Sequence, residues 1–216
     1  MACSDFPRRI GSPSFALEVD VIATVLDLLR SGWGAVVASG EVDGTSTEPE
    51  IAGRLVREMR AEKKRRGIPS FRIEEEVGTR SSPDVPKPEG RIDVEVIYSF
   101  DENEYFGIEC KRVSGRRSRE LARKYVVEGV ARFVTGKYSP GHPWGAMVGF
   151  VIDGRTQDSV SLVSGELRQR RKETLWEGAC VREERFGAFD HLYRTVHRQA
   201  QCSSRISLLH LFLRLN

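Results

Sequence analysis

The sequence predicts an α/β fold, with a central mixed sheet flanked by helices and one further helix near the N-terminus. Three observations carry that expectation. Short segments at residues 91–98 and 105–113 alternate acidic with apolar side chains, the period-two signature of strands with one buried face. Apolar stripes at helical spacing recur in residues 15–30, 47–66 and from 116 onward. The order of these patterns, three strands and then a helix and a strand, belongs to mixed α/β architectures.

In residues 15–30, Ile22, Val25, Leu26 and Leu29 form one helical stripe that Leu17, Val21 and Leu28 widen. Residues 40–47 are polar and glycine-bearing, which divides the chain into an N-terminal helical element and linker over 1–46 and an α/β domain over 47–216. Thr47 caps the second helix, Pro49 lies in its first turn, and Ile51, Leu55 and Met59 mark its buried side. Gly67 ends it after Lys63, Lys64, Arg65 and Arg66, cations that complement the negative end of the helix dipole. Strands are expected at 71–77, 91–98 and 105–113. A helix follows from Arg116, bearing Leu121, Tyr125, Val126, Val130 and Phe133. A strand at 144–152, a helix over about 157–176 and closing strands at 192–196 and 206–213 complete the order.

Composition bounds the function. With 39% hydrophobic and 30% charged residues among 216, the chain is an ordinary globular one, and a net charge of +3 permits nucleic-acid binding without requiring it. The four cysteines, at 3, 110, 180 and 202, have no metal-ligand spacing and no disulfide framework, which fits a cytoplasmic protein. Residues 1–14 have no signal-type apolar run, and no 18 consecutive apolar residues occur, so no membrane partner is expected. No glycine-rich phosphate loop precedes a helix. His142, His191, His197 and His210 lack zinc-site spacing and are expected to be structural.

The informative chemistry lies in the two alternating strands. Ile92, Val94 and Val96 are expected on one face, leaving Asp93 and Glu95 on the other. In the next strand Glu109 and Lys111 share a face, opposite Phe106, Ile108 and Cys110. Pairing the two as a hairpin about residues 99–104 brings two carboxylates and an ammonium into one small volume. A hard divalent cation needs such oxygen ligands, and it acidifies water and neutralises charge developing on a phosphoryl group. An acid two places before a lysine means little by itself: Glu62 and Lys64 match it inside a charged helix, where residues two apart do not face each other.

Asp93, fifteen intervening residues, and Glu109-Cys110-Lys111 together resemble the PD-(D/E)XK nuclease superfamily, the restriction endonuclease-like fold. The likeness spans about residues 48–153. It implies a restriction endonuclease-like core, Mg (with Mn as substitute) held by Asp93 and Glu109, assistance to hydrolysis by Lys111, and DNA as partner, with a homodimer compatible. Glu48 and Glu50, at the start of the second helix, resemble the acidic helix residue that many members add to the site, and Glu50 is taken as the site residue of the two. No proline precedes Asp93; the literal Pro83-Asp84 lies in a proline-rich loop and is read as a decoy. Arg112, Arg116, Arg117, Arg119 and Lys124 form the clearest basic cluster, placed to contact phosphates. Tyr125, Arg132 and Glu95 are candidate supporting groups. The functional expectation is a magnesium-dependent deoxyribonuclease, with a non-catalytic binding module of the same fold as the alternative.

Overall fold

A computed structural model describes residues 19–79, 90–99, 104–116, 118–187, 189–202 and 204–215. Arg117, Asp84 with its proline-rich surroundings, and most of the turn joining the two alternating strands lie outside the described residues.

The described residues contain seven strands, β1 (Arg72–Thr79), β2 (Gly90–Ile97), β3 (Tyr105–Val113), β4 (Trp144–Val151), β5 (Trp176–Arg182), β6 (Leu192–Arg198) and β7 (Arg205–Arg214). They form one sheet in the order β1-β2-β3-β4-β7-β6-β5. The three inner strands β3, β4 and β7 run parallel, and antiparallel partners complete the sheet on both sides. Parallel strands need crossovers that cover the sheet, and β3, β4 and β7 are accordingly buried along nearly their whole length. The α/β class with a mixed sheet and flanking helices is therefore as the sequence predicts.

On one face lie α1 (Val19–Ser39) and α2 (Glu48–Arg65), packed over Val94, Val96, Phe106, Ile108, Cys110, Val148 and Leu211. The part of the expected helix before Val19 lies outside the described residues, and α1 continues past Arg30 to Ser39 because Trp33 and Val36 extend its stripe; Trp33 stacks on Phe150 at 5.3 Å and donates to the Arg214 carbonyl. Its length and composition would also suit a membrane span, but Ile22, Val25, Leu26 and Leu29 are buried in the core shared with α2 and the sheet. The N-terminal helix is thus part of the same core as the rest.

The opposite face carries α3 (Arg119–Lys124), which passes through a π-helical segment (Tyr125–Val130) into α4 (Ala131–Val134), and then α5 (Thr156–Gln169). These cover Val113, Met147, Val151, Leu208 and Phe212. The helix expected over 157–176 stops at Gln169. Trp176 instead opens β5, an edge strand that periodicity does not reveal because Gly178 and a register shift interrupt its alternation.

Candidate metal and phosphodiester centre

The centre lies where β2 parts from β3. The antiparallel pairing of these strands ends at Val94 and Ile108. Beyond that point β3 turns the N–H groups of alternate residues toward the departing strand, and side chains replace the missing backbone acceptors. Asp93 Oδ2 accepts the Cys110 N–H at 2.6 Å, and Glu48 Oε2 accepts the Arg112 N–H at 3.0 Å. A buried strand edge must be satisfied in some way. Here the satisfying groups are carboxylates, so backbone geometry fixes their positions.

The β1–β2 ladder is irregular at the same place: its register passes from Glu75–Val94 to Val77–Ile92 without pairing Glu76 or Asp93, and Glu76 has a left-handed φ of 51°. The alternation of β2 breaks at the same point. Val94 and Val96 pack under α1 and α2 as expected, but Ile92 turns to the other face and joins the core beneath the π-helical segment. That corrects the expectation of one continuous apolar face. Gly107 on β3 makes room for the turned side chain, since a β-carbon there would lie 2.5 Å from Ile92 Cδ1.

Lys111 is at the middle of the cluster. Its Nζ donates to Glu48 Oε1 at 2.7 Å, to the Cys110 carbonyl at 2.8 Å and to Glu109 Oε1 at 2.8 Å, so all three N–H groups have oxygen partners. Its stem packs beside Gly129 of the π-helical segment, where the missing side chain admits both Lys111 and Met147. Glu109 is fully buried. Its Oε1 also accepts from Arg132 Nη1 at 2.8 Å, and the same nitrogen donates to the Tyr138 hydroxyl at 2.6 Å. Tyr138 donates onward to the Arg91 carbonyl on β2. Glu109 Oε2 is buried and has no hydrogen-bond partner among the described residues.

The electrostatics follow from burial. Desolvation, reinforced by the Asp93 charge, pushes the Glu109 carboxyl up to about 7 against the lowering pull of Lys111 and Arg132. Asp93 is also raised by burial, opposed by Lys111 and by the Cys110 N–H. Burial alone would lower the Lys111 ammonium, but the charges of Glu109, Asp93 and Glu48 outweigh it and hold the group above its ordinary value. Burial raises the Cys110 thiol well above its usual range, which makes it a poor nucleophile.

Of the residues singled out in the sequence, Asp93, Glu109, Lys111 and Arg132 come together. Glu50 does not join them: its Oε2 accepts the backbone N–H and the hydroxyl of Thr47 at 2.7 and 2.8 Å, a reciprocal cap on α2. Glu48, two residues earlier, reaches the lysine instead. The spacing Thr-x-x-Glu already carries that signal, because it assigns the residue at the fourth position to the cap. Glu95 is buried next to Tyr105 and Glu74, and burial with the Glu74 charge raises it to about 7. Tyr125 is buried at the start of the π-helical segment and bonds to His210. Within the basic cluster, Arg112 lies beside the centre and donates to the Gly44 carbonyl, Arg116 and Arg119 are exposed, and Lys124 pairs with Glu120.

Among the described residues, no three carboxylate, imidazole or thiol groups stand close enough to enclose a metal by themselves. The donor set suits a hard ion that takes few protein ligands and completes its shell with water and substrate oxygens. Glu109 Oε2 is the buried oxygen that fits it, with Asp93 alongside. Searches against protein-family models, curated proteins and solved structures return no match.

Proposed function

We propose that the protein is a magnesium-dependent phosphodiesterase acting on DNA, a small nuclease of the type that the Asp93, Glu109-Cys110-Lys111 pattern resembles. The observation that carries this reading is the fully buried Glu109, whose Oε2 has no partner among the described residues although two cations hold its other oxygen. A buried carboxylate oxygen without a donor costs about 1–3 kcal/mol or more. Other buried polar atoms among the described residues also lack a partner, Glu104 Oε2 and Arg112 Nε among them, but Glu109 Oε2 belongs to a fully buried carboxylate beside Asp93 and two cations, where a bound ion would supply the missing partner.

In this reading Asp93 and Glu109 hold the ion, and β3 and the kinked β2 fix their separation. The ion, when bound, acidifies a water and neutralises charge on the phosphoryl oxygens. Lys111 provides a positive charge beside the scissile phosphate, and to hold the attacking water it must release one of the three oxygens around its Nζ. Glu48 keeps the ammonium at the centre. The exposed Arg116 and Arg119 offer contacts to the DNA backbone at the end of β3.

A second reading, a non-catalytic module that keeps this fold, draws on one observation: Lys111 already fills its hydrogen bonds with the surrounding oxygens and offsets their charge. One experiment separates the two. Purified protein is incubated with supercoiled plasmid and magnesium, alongside the Asp93→Ala and Lys111→Ala variants. Nicking or linearisation by the wild type, lost in both variants with DNA binding retained, supports the nuclease. Plasmid left intact by folded wild-type protein in either magnesium or manganese supports the module.

A further inference from the structure

Five charged side chains meet at the centre: the carboxylates of Asp93, Glu109 and Glu48, and the cations Lys111 and Arg132. With all of them ionised the cluster carries one net negative charge. A divalent ion reverses that sign, and a phosphodiester then brings it to neutrality. The two ligands are therefore matched to the site as a pair better than either is alone. Of the two cations, Lys111 is buried and has all its donors in use, whereas the Arg132 side chain is about one third exposed and makes both of its hydrogen bonds to the described residues from Nη1. Its guanidinium lies 5.4 Å from the Tyr138 ring centroid, so the ring and the phenol together fix its plane.

We propose that Arg132 is a fixed cation of this centre, which holds Oε1 of Glu109 so that a divalent ion takes Oε2, and presents the rest of its guanidinium to the phosphate bound by that ion. This rests on the nuclease reading. Tyr138 is the positioning residue, because its hydroxyl links Arg132 to the Arg91 carbonyl, two residues from Asp93. Arginine suits the task better than lysine: a planar fork can hold a carboxylate oxygen with one nitrogen and address a phosphate with another.

The charge count gives the test its direction. Removing the arginine charge favours the metal and disfavours the phosphate, so the two affinities move in opposite senses. Mn2+ binding to the DNA-free protein is measured by calorimetry or by loss of the free-ion EPR signal. Binding of a fluorescent DNA duplex is measured by anisotropy in Ca2+, and melting temperature is recorded for each variant. In Arg132→Gln, Mn2+ affinity rises about tenfold and duplex affinity falls about tenfold. In Arg132→Lys, Mn2+ affinity stays near the wild-type value and duplex affinity is only partly restored. Tyr138→Phe keeps the charge and loosens its position, so Mn2+ affinity stays within about twofold while duplex affinity falls severalfold; this variant serves where Arg132→Gln does not fold. If Arg132→Gln weakens Mn2+ and duplex binding together, in step with its melting temperature, the residue is only structural and the inference fails. If folded wild-type protein binds no Mn2+, the nuclease reading itself fails, and the two failures are thereby distinct.

Discussion

Two buried polar clusters sit on this sheet and solve the same problem in opposite ways. At the fork of β2 and β3, five charged side chains meet and one carboxylate oxygen has no partner among the described residues. Under the other half of the sheet a neutral chain runs between β6, β7 and the π-helical segment, and every link is made. His197 Nδ1 lies 2.8 Å from the Thr174 carbonyl, so that nitrogen carries a hydrogen and Nε2 accepts. Thr195 must then donate to His197 at 2.7 Å, and it accepts from His210 Nε2 at 2.7 Å. This leaves His210 Nδ1 to accept from the Tyr125 hydroxyl at 3.0 Å. The directions are fixed from one end to the other, with no place for an added proton. A network closed in this way specifies packing. The cluster at the fork is open at one atom, and an open site is where a ligand can act.

The comparison breaks most readily at Lys111. Lys111→Met leaves three carboxylates beside a single arginine, so on the proposed nuclease reading plasmid cleavage should fall at least about a thousandfold. Stability should also fall by about 3–5 kcal/mol, as when one partner of a buried ion cluster is removed. Thr195→Val is the matching cut in the neutral chain. It strands a donor on one histidine and an acceptor on the other, at a cost of about 2–4 kcal/mol by chemical denaturation. Cleavage at a temperature where the variant is folded should be unaltered. If Thr195→Val abolished cleavage while remaining folded, the division into a working cluster and a packing cluster would be wrong.

Acid distinguishes the two regions more finely. Burial lowers His197 to about 4 and His210 to about 3. Their neutral forms thus contribute stability that is fully present above the unfolded value near 6.5 and is lost as pH falls through that value toward 4. Glu95 and Glu109, raised to about 7, act with the opposite sign, because the folded protein binds their protons first; each costs stability above pH 7 and recovers it toward 4.5. The wild-type profile is the sum of these opposed slopes. Glu95→Gln separates them: it should stabilise by about 2 kcal/mol at pH 8, with the gain gone by about pH 4.5. A gain independent of pH would mean that Glu95 is not held in its raised, buried state.

Much of this was legible in the sequence where local pattern and tertiary packing agree. The strands holding Asp93 and Glu109 could be read because each keeps an apolar face in the core, and α2 because Thr47, Pro49 and its stripe agree. The fork was not legible. It coincides with a left-handed Glu76 where the β1–β2 register skips Glu76 and Asp93, and a period-two reading carries Ile92 to the wrong face. The neutral chain joins positions 125, 174, 195, 197 and 210, a spacing with no local signature. β5 was hidden because an exposed edge strand with a glycine bulge alternates poorly, and the charged stretch ahead of it reads as more helix. Between Glu48 and Glu50 the resemblance does not choose, but the capping pattern does, because it commits Glu50 to Thr47.

The smallest effect concerns that cap. Glu48 is the first residue of α2, and its two oxygens hold the Lys111 ammonium and the Arg112 N–H. Thr47, one residue before it, is held by Glu50 through both backbone and hydroxyl. Thr47→Ala removes the hydroxyl half of this clasp and should lower stability by about 1 kcal/mol. The helix start then frays, and Glu48 loses some of its fixed position over Lys111, so cleavage should fall by a factor of about two to five, the effect of slight misplacement rather than of a missing group. Glu48→Gln keeps the helix start and removes the charge, so its cleavage loss should exceed that of Thr47→Ala while its stability cost is of similar size or smaller. The pair is read by plasmid nicking rates beside urea unfolding. If Thr47→Ala lost as much activity as Lys111→Met, the cap would be part of the centre; if Glu48→Gln lost none, the third carboxylate would belong to the packing and not to the chemistry.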